Sequence, residues 1–492
     1  MKNDKNRRMA GVLMPLASLP SDEGIGCLGA DSYHFVDLLA EMGMRVWQLL
    51  PLTPLGFGNS PYQPFASCAG DPLYISLSQL VRDGLLPPER LLAPPAPNGR
   101  IDYDAVRREK EPLLREACDR FWETEADSAD FRMFREQHDW VYPYAVFLAL
   151  KRKNDLRPWT DWPKDQRDWI LDRQYDVGLL ETEIRRGMAE QFLFFRQWQA
   201  LRRYANNKGI RIMGDLPFYV GLDSLEAWSR REDFLLDRDG RPTSVAGVPP
   251  DYFNAEGQRW GNPIYDWDHM ERDGFSFWMD RLRGSGELYD ILRIDHFRAF
   301  DTYWKIPADC PTAMVGEWVQ APGYALFERI QRELPELRIV AEDLGGDLTP
   351  GVAELRDGFG LMGMNVADFT LMSGEKPKEN QLAYTGTHDN QTARGFYESM
   401  PPKERERFRF ALRRYGSARE PVSKKLLRYV FLSDARMVIV PLADILNLGD
   451  EARLNTPGSV GSPNWEWRLT GWGGVERKKH FMRELATLSK RG

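Results

Sequence analysis

One pattern recurs through the chain and restricts what it can fold into: an amphipathic helix, a glycine or proline stop, then a short apolar run that ends in a polar cluster. "DSYHFVDLLAEMGMRVWQLLP" has this form, with Asp31 as the expected N-cap and Gly43 near the helix C-terminus. "FRQWQALRRYANNKGIRIMGD" repeats it and ends at Asp215, and "ALFERIQRELPELRIVAED" repeats it again, ending at Glu342 and Asp343. Helices alternating with short buried strands call for a parallel sheet with crossover helices. Strands are expected near Gly11–Pro15, Val46–Pro51, Ile210–Asp215, Ile291–Asp295, Arg338–Glu342, Gly363–Asp368, Leu382–His388 and Met437–Pro441. Eight strands of this kind predict an α/β fold, a closed (β/α)8 TIM barrel, with residues 1–492 forming one catalytic unit.

The spacing is uneven. About 160 residues separate the second and third strands, far more than one crossover requires, so residues 69–205 are expected to form a mainly helical insertion subdomain. A second insertion, 218–288, contains "VAGVPPDYFNAEGQRWGNP", whose glycine, proline and asparagine content reads as an ordered loop. Net charge is 66 − 73 = −7, which provides no electrostatic footprint for nucleic acid or an anionic membrane. No apolar run is long enough to span a bilayer, and the basic start is followed by too short an apolar stretch for a signal peptide. The four cysteines form no CxxC pair and read as free thiols, so a cytoplasmic location is expected.

Polar residues at the C-terminal ends of barrel strands are where this fold keeps its chemistry, and Asp215, Asp295, Glu342 and the pair His388–Asp389 all fall there. In "LRIDHFRAF" Arg293 and Asp295 stand two apart and share one face of a strand. An arginine beside a carboxylate favours its charged form, which suits a nucleophile and equally suits a structural ion pair. Glu342 follows an apolar run, where burial and a nearby anion raise a carboxyl into the range of a general acid. Asp389 is placed to hold sugar hydroxyls and stabilise an oxocarbenium-like transition state, with His388 and His296 as further hydrogen-bonding groups. Two other readings stand beside these: Glu342 with Asp343 as metal ligands, and Asp389 as the cap of the next helix. The six histidines show no paired ligand spacing, and no metal or cofactor is called for.

The segments "GDLPFYV", "RIDHFR", "AEDLG" and "GTHDN", in this order, resemble the four signature regions of the α-amylase clan. Within it they are similar to the amylomaltases, the 4-α-glucanotransferases or disproportionating enzymes, as are "GNSPYQPFASCAGDPLYI" and "NTPGSVGSPNWEWRL". The resemblance runs from about Gly11 to Leu469. It implies Asp295 as nucleophile, Glu342 as general acid/base and Asp389 as transition-state stabiliser. It further implies substrate contacts from Tyr62, Asp215, Arg293, His296 and His388, and a loop over the glucan groove bearing Tyr252, Phe253 and Trp260. Phe57 and Gln391 depart from residues common in relatives, which bears on chain-length preference and leaves the catalytic acids untouched.

The resemblance therefore implies transfer of α-1,4-glucan segments from maltooligosaccharides or starch- and glycogen-type glucans to glucose or another glucan. A hydrolase on the same scaffold is the alternative enzyme. A non-catalytic glucan-binding protein is the alternative from another class, although all three acids are present.

Overall fold

The computed structural model describes residues 7–91, 99–250, 255–345 and 348–492. Tyr252 and Phe253 lie outside the described residues, as does the side chain of Phe57. Eight strands form one parallel sheet: Met9–Leu13 (β1), Val46–Gln48 (β2), Arg211–Leu216 (β3), Ile291–Ile294 (β4), Ile339–Ala341 (β5), Gly363–Val366 (β6), Gln381–Tyr384 (β7) and Met437–Pro441 (β8). Their spatial order is β6-β7-β8-β1-β2-β3-β4-β5. The remaining seam, between β5 and β6, is joined by a parallel bridge from Val340 to Met362 and by the Ala341 N–H donating to the Met362 carbonyl at 2.8 Å. The sheet thus comes round into a (β/α)8 barrel.

Helices cover the outside and side chains fill the inside, so these strands read as continuous apolar runs instead of alternating ones. β1 begins two residues before its expected position. Its last ladder bond is the Met14 N–H to the Gln48 carbonyl, and Pro15, without an N–H, stands beyond it. The helix Ala30–Glu41 is entered through Gly29, not capped by Asp31 as the sequence suggested. Asp31 sits in the first turn, where a negative charge suits the helix dipole, and accepts from Trp472 Nε1 at 2.9 Å.

Between β2 and β3 the chain passes through the helices Leu77–Arg82, Tyr103–Thr124, Ala129–Gln137, Val141–Lys153 and Glu181–Asn207, among others. Lys110, fully buried, ties this stretch to the β1 side of the barrel. Its Nζ donates to Glu23 Oε2 at 2.6 Å and to the carbonyls of Leu73 and Ile75 at 2.9 Å. A charge buried in this way persists only with all its partners in place.

Sequence alone does not reveal a second sheet, which is antiparallel and four-stranded. Gln258–Pro263, Ser244–Val248, Thr302–Pro307 and Glu317–Gln320 pair in that order. The segment read as a loop therefore has strands at both ends, and Trp260 sits on the second of them, Gln258–Pro263. Its composition hid this because one of its glycines is structural. At Gly247 a Cβ would stand 2.2 Å from the Gln258 carbonyl oxygen of the neighbouring strand.

Candidate active site

β3 and β4 are in register at Asp215 and Arg293, so the two side chains start from paired positions. Arg293 Nη1 lies 2.8 and 2.7 Å from the two Asp215 oxygens and 2.9 Å from Asp295 Oδ1, with Arg293 only 3% exposed. Burial opposes its charge, but Asp215 and Asp295 beside it hold the guanidinium protonated. Burial likewise pushes the Asp215 carboxyl up, against the pull of Arg293. Arg293 thus meets two carboxyls that differ in exposure. Asp215 is the buried structural counter-ion, while the Asp295 side chain stays 31% exposed at the barrel mouth.

Asp295 and Glu342 occupy equivalent positions, each one residue past a strand end. Ile294 of β4 pairs with Ala341 of β5, and the Glu342 N–H donates to the Ile294 carbonyl at 3.0 Å. Burial, and then the Asp295 charge, push the Glu342 carboxyl up to about 8, so it carries its proton at neutral pH. The His296 N–H donates to Glu342 Oε2 at 2.7 Å. The neighbouring acid differs: Asp343 accepts from the Met364 N–H at 2.8 Å and is paired with Arg356, a structural role.

Asp389 enters from the turn after β7. Its Oδ2 lies 3.3 Å from His388 Nε2, and its Oδ1 accepts from Asn455 Nδ2 at 2.7 Å. It caps nothing: Thr392 caps the helix Ala393–Ser399. Tyr62 links this arm to the arginine cluster. Its hydroxyl donates to Asp215 Oδ2 at 2.8 Å and lies 3.4 Å from His388 Nδ1, and its ring stacks on His388 with centroids 5.0 Å apart. Burial and the Asp215 charge raise the phenol well above its ordinary value, so it remains a donor.

His296 and Trp260 meet edge to face at 4.8 Å, with Phe218 and Tyr219 nearby. Burial pushes the His296 imidazole down to about 4, leaving it neutral. The structure thus gathers Tyr62, Asp215, Trp260, Arg293, Asp295, His296, Glu342, His388 and Asp389 at one end of the barrel.

Sequence reasoning assigned no role to Asn455, to Arg453, whose Nη2 donates to the Asp389 carbonyl at 3.0 Å, or to Trp465, whose ring lies 5.7 Å from Tyr62. Asn455 and Trp465 belong to "NTPGSVGSPNWEWRL", so the signal was present in the segment, although no single residue in it stood out. An apolar cavity of about 330 Å³ lies at the opposite end of the barrel, where Met9, Ile291, Ile339 and Met437 begin their strands. Its walls bear none of these acids. Among the described residues the one group with metal-like spacing is Asp233, His269 and Asp273, which includes no catalytic candidate, and Arg230 Nε lies 2.7 Å from Asp233.

A family model described as 4-alpha-glucanotransferase (glycoside hydrolase 77) matches residues 14–473. The chain is 45% identical over 479 residues to a 4-alpha-glucanotransferase of Thermus thermophilus, covering 94% of this chain and 95% of that protein. It is 40% identical over 485 residues to the chloroplastic/amyloplastic 4-alpha-glucanotransferase of Solanum tuberosum, covering 95% and 83%. In structure it is similar to the amylomaltase from Streptococcus agalactiae solved in complex with acarbose, with TM-score 0.93 and 35% identity over 99% of this chain and 100% of that one.

Proposed function

The chain belongs to the 4-alpha-glucanotransferase family, and we propose that it moves α-1,4-glucan segments by a retaining double displacement with Asp295 as nucleophile and Glu342 as general acid and base. Asp295 attacks the anomeric carbon while Glu342 gives its proton to the glycosidic oxygen. The leaving glucan departs with a free 4-hydroxyl, and a β-glycosyl ester joins the donor segment to Asp295. Glu342, now ionised, takes the proton of an acceptor 4-hydroxyl. That oxygen attacks the same carbon, the ester bond to Asp295 breaks, and an α-1,4 bond forms. Two inversions retain the configuration.

One observation carries this reading. A carboxyl pushed up to about 8 stands one residue past β5, beside a carboxylate held by Arg293 one residue past β4. Ile294 and Ala341 pair across β4 and β5, so the two side chains start from neighbouring strand ends, as a retaining pair with carboxyls roughly 5–5.5 Å apart requires. Asp389, fixed by His388 and Asn455, holds sugar hydroxyls and stabilises the positive charge at the anomeric carbon. Tyr62 and His388 offer a stacked wall to the same sugar.

Donors are maltooligosaccharides and starch- or glycogen-type glucans, and glucose or another glucan is the acceptor. We also propose residues 69–205 as a helical insertion subdomain and 218–288 as the insertion that covers substrate, because Trp260 reaches His296 from it. No helix among the described residues is long and apolar enough to cross a membrane. With four free cysteines the cytoplasm is the compartment that fits. The test is incubation with maltotriose alone: transfer yields glucose and a ladder of longer maltooligosaccharides, whereas a hydrolase yields only shorter sugars.

A further inference from the structure

Trp465 takes a left-handed backbone conformation, φ 66°, which a bulky side chain rarely adopts. Two hydrogen bonds hold it there. Its N–H donates to the Leu454 carbonyl at 2.7 Å, and its carbonyl accepts from the Tyr103 hydroxyl at 2.9 Å. Tyr103 is 4% exposed and opens the helix Tyr103–Thr124, in the stretch between β2 and β3. The same two segments meet again alongside. The Ile101 N–H donates to the Glu466 carbonyl at 2.7 Å, and the Arg468 N–H donates to the Gly99 carbonyl at 3.0 Å. Asn464, also buried, fixes the turn that leads into Trp465. Its Oδ1 accepts from the Thr456 N–H at 2.9 Å and its Nδ2 donates to Ser459 Oγ at 3.0 Å.

This backbone presents an indole to the Tyr62–His388 stack. The ring centroid lies 5.7 Å from Tyr62 and 6.1 Å from His388, tilted by 39° and 36°, within the range of aromatic contacts. The two stacked rings join both arms of the site. Tyr62 reaches Asp215, the counter-ion of Arg293, and His388 reaches Asp389. A group that fixes their orientation therefore bears on both arms together. Backbone strain of this kind persists only where the surroundings enforce it, and it collects at functional sites.

We propose that Trp465 is a positioning residue for the Tyr62–His388 wall, and that Tyr103 pins it there from the insertion between β2 and β3. Burial raises the Tyr103 phenol above its ordinary value, so its hydroxyl remains a donor. Trp465 acts through the two rings, so the inference rests on the role proposed for that wall in holding the reacting sugar.

The test reads maltotriose consumed, which counts transfer and hydrolysis alike. Trp465→Phe keeps a ring against the stack and should retain kcat within about threefold of wild type, while Trp465→Ala should lose about tenfold or more with a smaller change in KM. Trp465→Gly separates the ring from the backbone, because glycine takes φ 66° without strain. A role confined to the fold predicts wild-type kcat for it, whereas a positioning ring predicts the same loss as Trp465→Ala. Tyr103→Phe removes only the pinning hydroxyl and should lower kcat roughly fivefold. Combined with Trp465→Ala it should cost nothing further, since the pin then holds no ring.

The inference is overturned if Trp465→Gly keeps wild-type kcat, or if Trp465→Phe falls as far as Trp465→Ala. It is equally overturned if Tyr103→Phe leaves kcat unchanged, or if its loss persists undiminished beside Trp465→Ala. Tyr62→Ala is the control for the site itself. Wild-type kcat in that variant removes the proposed wall, whereas an impaired Tyr62→Ala beside a fully active Trp465→Ala removes this inference alone.

Discussion

The His296 N–H reaches Glu342 Oε2 at 2.7 Å because His296 takes a left-handed backbone conformation, φ 54°, immediately after Asp295. A non-glycine residue there carries a cost of about 1–2 kcal/mol. The packing of its ring among Phe218, Tyr219 and Trp260 holds it in place. The N–H favours the ionised form of Glu342, the form that must accept a proton in the second half of the reaction.

His296→Gly keeps the left-handed conformation and the N–H at the expense of the ring, whereas His296→Val resists that conformation through its branched Cβ. The valine variant should therefore lose more kcat than the glycine variant, by roughly tenfold, given a strain of about 1–2 kcal/mol. Equal losses in steady-state assays with maltotriose would mean that the ring matters and the N–H does not.

Glu342, raised to about 8, must be protonated for the first step, so kcat/KM should fall on the alkaline side as pH passes about 8. The same shift has a consequence for stability. The folded pKa exceeds the unfolded one, so stability declines as pH rises from about 4.5 to about 8, and Glu342→Gln abolishes that decline. Glu342→Gln should accordingly be inactive yet melt higher than wild type at pH 8, measured by calorimetry.

Asp295→Asn removes the proposed nucleophile but keeps a group able to bond with Arg293, whose charge remains matched by Asp215. The fold and maltooligosaccharide binding should persist while kcat drops by about 10⁴ or more, as for other residues that form the covalent bond. A variant that binds glucan by calorimetry and still turns over maltotriose at an appreciable rate would remove Asp295 from its role.

Three of the candidate acids were legible because each sits at or just past the end of a strand buried on both faces. A continuous apolar run that stops at Asp215, Asp295 or Glu342 can be read without knowing its partners. The second sheet was not, since Ser244–Val248 pairs with Thr302–Pro307, almost sixty residues away, and Gly247 mimics a turn signal. Asn455 was missed for the same reason of distance: it meets Asp389 across 66 residues, through a loop with no periodicity of its own.

Asn455→Ala leaves Asp389 Oδ1 without its 2.7 Å donor, with His388, among the described residues, as the remaining side-chain partner of the carboxylate. Losing a hydrogen bond to a charged group costs about 1.5–3 kcal/mol, so kcat/KM should fall by roughly ten- to a hundredfold. The melting temperature should barely move, because Asp389 is at the open barrel mouth, with its side chain 42% exposed.

The choice between transfer and hydrolysis depends on the lifetime of the glycosyl ester on Asp295. Water is present at roughly 55 M, so an acceptor sugar succeeds only where binding and exclusion of solvent favour it. Trp260 meets His296 edge to face at 4.8 Å and extends the aromatic wall of Phe218 and Tyr219 beside Asp295. It comes from a strand of the second sheet and not from the barrel, so its removal opens the wall while Phe218 and Tyr219 still pack on the His296 ring whose N–H reaches Glu342. Trp260→Ala should therefore raise the share of ester hydrolysed more than it slows donor cleavage. The measurement is the rise in reducing ends per maltotriose consumed, which is zero for pure transfer and one for pure hydrolysis. If the variant slows both partial reactions equally and leaves that ratio unchanged, Trp260 orders the site and plays no part in excluding water.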